Sequence, residues 1–237
     1  VLAVIAVFIV VVYCESMRLE IPLSYGGIRG IGGRYPLKFF YVSNIPVILT
    51  WALIENIRIW TRLMGVDINS EPLESYDILQ IIAYYIGRNF TLGELHGILA
   101  PDNHYKLADP TIIAHLVLYS LFFIALCVLF GKFWVETTGL DARSIAEQIE
   151  DAGMQIPGFR RDRRIIEKVL NRYIPPITIL SSIAVGLVAL VADLTGAYGT
   201  GTGILLTVGI LYNMYEQIKR EQMIEMHPAF RKFMGKL

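Results

Sequence analysis

Five apolar runs divided by polar stretches set the pattern of the chain. They cover 1–14, 44–64, 110–136, 174–194 and 203–218, and each reads as a helix crossing a membrane. The first run is shorter than the ~17–25 residues that a span needs. It has neither the basic leader nor the small-residue cleavage site of a signal peptide, and the chain has no initiator Met. It is therefore expected to be the rear part of a span, in a chain that is a fragment. In 15–43, Met17, Leu19, Ile21 and Leu23 alternate with Arg18 and Glu20, and Tyr35–Val42 is aromatic and β-branched. Both stretches predict strands. With the glycine-rich segment 26–33 between them, a protruding β-hairpin with a flexible basic tip is expected. The glycines do not form a phosphate loop, because no GK[ST] follows and no helix opens after them.

The run 44–64 is broken after Leu53 by Glu55, Asn56 and Arg58. Ser43 or Asn44 is placed to cap its first turn, and Pro46 falls where a missing N–H costs nothing. At helical spacing Ile45, Ile48, Ala52 and Asn56 share one stripe. Two readings stand side by side. Polar groups in hydrocarbon normally face a bundle interior or a watery path, which suits a helix lining a closable pathway. In the other reading Glu55 and Arg58 pair at i,i+3 near the interface and only stabilise packing.

The segment 65–109 joins two spans and holds a short amphipathic helix over 75–88, with Leu79, Ile82, Ala83 and Ile86 on one face. Asp109 and Pro110 read as N-cap and N1 of the span 110–136, which ends at an interfacial Phe133-Trp134 pair. In 137–173, Asp141 is expected to cap an amphipathic helix that Gly153 stops, followed by the turn IPGFRRDRR. Pro175-Pro176 is expected to open the span 174–194. A short turn, 195–202, leads to the last span, 203–218, and to a charged helical tail, 219–237.

Composition sharpens this picture. The chain has 237 residues, 54% of them hydrophobic, and a net charge of zero. That is too apolar for an ordinary soluble domain and fits a multi-span membrane protein. Cys14 and Cys127 lie in apolar runs without metal-ligand spacing. His96 and His104 are far apart in a Gly/Pro-rich setting, so no metal or cofactor is expected. Tyr119 and His115 are assigned to helix packing. The distribution of charge is more telling than its sum. The hairpin carries Arg18, Arg29, Arg34 and Lys38. The loop 137–173 carries Arg143, Arg160, Arg161, Arg163, Arg164, Lys168 and Arg172, and the tail is basic too. The segment 65–109 is mainly acidic. The positive-inside rule therefore puts hairpin, Arg loop and tail in the cytosol of a multi-pass plasma-membrane protein.

No serine nucleophile motif, HExxH or paired intramembrane aspartate is present, so an intramembrane hydrolase is poorly supported and no enzyme is expected. Clustered arginines on turns suit docking to a polyanion, such as structured RNA or an acidic protein surface. The runs YPLKFFYVSNIPVIL, IPGFRRD, YIPPIT and GTGTGILLTVGILYNMYEQIKRE, in this order, resemble the archaeal SecY-type protein-conducting channel across essentially the whole chain. The match is to the C-terminal half, spans six to ten.

The resemblance implies an all-α polytopic fold with five spans, the first truncated, forming half of a ten-helix clam-shell. It implies passage of secretory polypeptides across the membrane and lateral release of membrane segments into lipid. Ile48 and Leu206 match the aliphatic pore ring. Ile45 and Asn56 match the lateral gate. Arg29, Arg160 and Arg161 match regions that dock the ribosome. The implied partners are the N-terminal half with spans one to five, small SecE-type (gamma) and beta subunits, ribosomal RNA and protein, signal sequences, nascent chains and the lipid bilayer. The acidic segment 65–109 and Glu55 map to no family role. The alternative from another class is half of a secondary transporter with Glu55 and Arg58 as a coupling pair.

Overall fold

In a computed structural model the described residues are 2–25, 32–65, 81, 85–86, 110–156, 162–194 and 201–226. They form α1 (Leu2–Ser16), β1 (Arg18–Tyr25), β2 (Gly32–Lys38), α2 (Ile45–Leu63), α3 (Pro110–Thr137), α4 (Ala142–Asp151), β3 (Met154–Gln155), α5 (Arg163–Leu194) and α6 (Gly201–Met226). Among them α3 and α5 are long and apolar enough to cross a bilayer, and α1 carries a shorter apolar run. Of the expected amphipathic helix 75–88, only Ile81, Tyr85 and Ile86 are described. His96, His104, Arg29, Arg160 and Arg161 lie outside the described residues.

Two cores organise the chain. The first joins Val7 and Val11 of α1, Val47 and Ile54 of α2, Phe123 and Cys127 of α3, Val185 and Ala189 of α5, and Leu205 and Val208 of α6. Small residues line the crossing of α3 and α5. Gly131 of α3 lies against Ser182 of α5, and one turn along Gly186 of α5 lies against Cys127 of α3. With a glycine on one side of each contact, the helices can approach closely, and dispersion replaces the missing hydrophobic drive between helices in lipid.

The second core belongs to the polar end of the bundle. Ile21, Leu23 and Leu37 of the hairpin pack with Ile145, Ala146 and Ile149 of α4 and with Ile166, Leu170 and Ile174 of α5. The hairpin pairs in antiparallel register, Arg18 opposite Lys38 and Ser24 opposite Gly32. β3 then adds a third strand, Ser24 opposite Gln155 and Tyr25 opposite Met154. The hairpin is thus tied to the Arg loop rather than protruding alone.

Four expectations are corrected by this packing. Met17 falls outside β1, and Leu19, on the strand face of Ile21 and Leu23, is exposed, since the second core reaches only the distal end of the strand. The second strand ends at Lys38 instead of Val42. Phe40 enters one core and Val42 the other, and the chain turns through Ser43, at φ 57°, into α2. Asn44 makes no side-chain cap. Finally, α5 does not begin at Pro175-Pro176 but at Arg163, with both prolines inside it. Those prolines release the carbonyls of Asn171 and Arg172 from helix bonding. Both residues are exposed, so water can satisfy the freed groups.

Asp141 caps α4 as its position suggests, accepting the N–H groups of Arg143 (3.1 Å) and Ser144 (3.3 Å). Desolvation pushes its carboxyl up, but the bonds from Ser144 and Arg143 outweigh that and hold it below the usual value. Asp141→Ala is expected to destabilise the chain by about 1 kcal/mol, the usual worth of an N-cap. Melting in detergent micelles checks this, and a cap that contributes nothing would leave the midpoint unmoved.

Candidate functional site

α2 divides cleanly into two faces. Pro46, Val47, Thr50, Ile54 and Thr61 are buried. They turn toward α3, where Trp51 meets Phe123 edge-on at 5.9 Å and the Thr50 hydroxyl lies 3.5 Å from Cys127 Sγ. The stripe Ile45, Ile48, Ala52, Asn56 stands outside that face. Ile45 and Ile48 are half-buried, and Ala52 and Asn56 are exposed. Asn56 donates its amide back to Ala52 O, 2.7 Å away in its own helix. Glu55 and Arg58 form the i,i+3 ion pair at 2.6 Å, which is what the packing reading expects of them. His115 is buried in an aromatic column, edge-on to Tyr85 at 5.8 Å and to Tyr119 at 6.5 Å.

Leu206 stands in a similar position on α6. Its neighbours Leu205 and Val208 are fully buried, while Leu206 itself is 38% exposed. The two helices meet through Asn44, whose Nδ2 donates to Leu205 O at 2.9 Å. Ile48 lies one turn along α2 from Asn44, and Leu206 follows Leu205. Asn44 was legible only as a helix cap, because nothing in its local sequence points across to α6.

A second, exposed link joins the hairpin to α6. Arg18 and Lys38, opposite one another in register, both reach Glu216. Lys38 Nζ stands 3.3 Å from Glu216 Oε2 and donates to Asn213 Oδ1 at 3.3 Å. Arg18 also donates to the Tyr212 hydroxyl at 3.5 Å. In the sequence these two cations read only as part of the basic hairpin, since a clamp across nearly the whole chain leaves no local signal.

Glu15, at the end of α1, is buried beside this region. Burial pushes its carboxyl up, and Lys38 pulls it partly back. The folded state thus binds this proton more tightly than the unfolded chain. The corresponding stability is fully present below the unfolded value and is lost as pH rises through the folded one. Glu15→Gln is expected to be more stable than the parent at neutral pH. That margin should shrink as pH falls toward 4.5, the ordinary carboxyl value. Melting across that range reads it. A margin independent of pH would mean that the buried charge costs the fold nothing.

The two basic turns are connected to paired antiparallel strands. Tyr25, where β1 ends, pairs with Met154 of β3, so the segments carrying Arg29 and Arg160-Arg161 leave from one sheet.

Comparison with known proteins places this geometry. A family model described as SecY matches residues 1–215. Protein translocase subunit SecY of Pyrococcus furiosus is 48% identical over 240 residues, covering 99% of this chain and 48% of the relative. The same subunit of Methanocaldococcus jannaschii is 46% identical, covering 100% of this chain and 51% of the relative. The chain thus spans about half the length of these curated relatives. A solved structure of a protein conducting channel matches with TM-score 0.69 and 46% identity, over 97% of this chain and 50% of that one. A chain of the idle yeast Ssh1 complex bound to the 80S ribosome shares the fold, with TM-score 0.60 at 21% identity. The transporter-half reading finds no support among these relatives. A mostly helical chain, matched by the family model over nearly its whole length and aligned in space with a protein-conducting channel, belongs to the SecY family.

Proposed function

We propose that the chain forms the C-terminal half of a protein-conducting channel, five spans of a ten-helix clam-shell, and that it acts with the front half that the longer relatives carry. In this reading the channel passes secretory polypeptides across the plasma membrane and releases hydrophobic segments sideways into lipid. Hairpin, Arg loop and tail face the cytosol, and SecE-type and beta subunits complete the assembly. The observation that carries the reading is the seam at Asn44. Ile48 and Leu206, both aliphatic, flank it while standing largely outside the chain's own fully buried core. Such side chains form a collar that dewets and blocks ions when closed, yet grips a passing polypeptide only weakly. Ile45 and Asn56 continue the same stripe as the lateral gate, where Asn56 exchanges its local bond for partners on the front half when the gate is shut. The chemistry is transport, with no covalent step.

Docking is the part most directly tested. Arg29, Arg160 and Arg161 are assigned to ribosomal RNA phosphates and adjoining ribosomal protein. Charge reversal at Arg160 and Arg161 is expected to weaken ribosome binding. It should also flatten the dependence of log K on log salt by roughly 1–2, the contribution of two phosphate contacts. Sedimentation at several salt concentrations measures both quantities. Unchanged affinity with an unchanged slope removes the docking role.

A further inference from the structure

We propose that Asn44 is a positioning residue of the pore constriction, whose bond to the Leu205 carbonyl fixes the spacing between Ile48 and Leu206. The proposal rests on the ring assignment made above.

Asn44 stands at the N-cap position of α2, where an amide side chain would ordinarily accept from the helix's free N–H groups. It makes no such bond, its backbone lying at φ −90° and ψ −5°. The preceding residue, Ser43, is the one non-glycine with positive φ among the described residues. This left-handed turn aims Asn44 across the bundle instead of along its own helix. Its Nδ2 reaches Leu205 O at 2.9 Å, with Asn44 6% exposed and Leu205 fully buried.

The partner helix is shaped to receive the amide. Helix geometry places the Leu205 carbonyl to accept from the N–H of Gly209, so Asn44 approaches an acceptor already engaged in its helix. A Cβ at Gly209 would stand 3.2 Å from Asn44 Nδ2 and 3.7 Å from Glu15 Oε1. A glycine in mid-helix weakens the helix. Here its bareness is what lets α1, α2 and α6 meet. Asn44 Oδ1, buried, accepts no hydrogen bond among the described residues. Burying an amide with half its bonding capacity idle adds little that apolar packing would not. What the amide adds is direction. It pins the start of α2 to a chosen peptide of α6, one turn from Ile48.

The test uses the channel assembled with its front half and carrying Ile48→Cys and Leu206→Cys. Oxidative cross-linking of the two positions reads their spacing, and conductance of the resting channel, with the native side chains restored at both positions, reads the seal. Single-thiol versions control for Cys14 and Cys127. Asn44→Leu keeps side-chain volume and removes the bond. It is expected to slow cross-linking by roughly three- to tenfold, the factor that one net hydrogen bond contributes. It should also let the resting channel conduct without lowering the melting temperature. Gly209→Ala, which crowds the same amide from the α6 side, should shift both readouts in the same direction. Cross-linking and conductance unchanged in both variants overturn the proposal, as does a parent pair that never cross-links. If instead Ile48→Gly with Leu206→Gly fails to leak, the ring assignment falls, while the cross-linking rate still reports whether Asn44 sets the spacing.

Discussion

Replacing Ile48 and Leu206 together by glycine is expected to turn the closed channel, assembled with its front half, into a constant ion leak. The argument starts from what these side chains do not do. Ile48 is half-buried and Leu206 is 38% exposed, so neither belongs to the core that holds the five helices. Their removal leaves the fully buried Val47 and Leu205 in place. Two glycines in helices cost about 1 kcal/mol each, which a bundle of this size tolerates. Truncating Leu205 is a different matter, since a buried leucine reduced to alanine costs about 2–5 kcal/mol. The expected pattern is therefore a leak without unfolding for the first pair, and unfolding for Leu205→Ala. Functionally, a wider and wetter constriction loses the barrier that an aliphatic collar raises against ions. Single-channel recording decides the matter, and a double variant that stays silent puts the constriction elsewhere.

Gly131→Leu is expected to be the most damaging of the glycine substitutions at the α3–α5 crossing. A Cβ at residue 131 would stand 2.0 Å from Ser182 Oγ, 3.1 Å from Ser182 Cβ and 3.4 Å from Val42 Cγ1. The serine hydroxyl can swing aside only by giving up its bond to Thr178 O, 2.7 Å away. Its Cβ cannot move without moving α5. Leucine at this crossing therefore forces α3 and α5 apart, and overpacking of this kind costs about 1–3 kcal/mol. Gly186→Ala offers a milder comparison, since its Cβ would meet Cys127 Sγ at 3.3 Å. The ranking Gly131→Leu, then Gly131→Ala, then Gly186→Ala should appear in melting temperatures in micelles. Adding Ser182→Ala to Gly131→Ala should recover part of the loss. Equal melting for all variants would mean that the crossing is looser than these distances.

Signals local to a few residues were legible in the sequence. The apolar runs anticipated α2 and α3 closely, and the cap at Asp141 was read from one residue before an amphipathic pattern. The hairpin followed from alternation about a glycine-rich turn. Signals that depend on distant partners were not legible. The double proline looked like a helix start because Pro suits a first turn. Yet the apolar stripe Ile166, Leu170, Ile174 upstream packs against α4 and carries the helix through it. β3 is two residues long, too short for any periodicity, and exists because Tyr25 and Ser24 offer it a partner. Asn44, Glu15 and Gly209 are unremarkable singly, and only the packing of α1, α2 and α6 makes one cluster of them. For the site, Ile48 and Leu206 came from family resemblance. Helical spacing alone marked the stripe that holds Ile48 without saying what it faced, and it marked nothing at Leu206.

The small strand β3 gives the proposed docking role a thermodynamic form. In that proposed role, the pairing of Met154 with Tyr25 would let the two basic turns act as one bivalent ligand, since the strands they follow share a sheet. Once the first arm has engaged, the second meets its phosphates at an effective concentration near the millimolar range rather than that of the bulk. Avidity then exceeds the affinity of either turn, and cutting one arm forfeits the chelate gain as well as its own contacts. A free peptide spanning 157–164 should accordingly bind ribosomes far more weakly than the intact sheet.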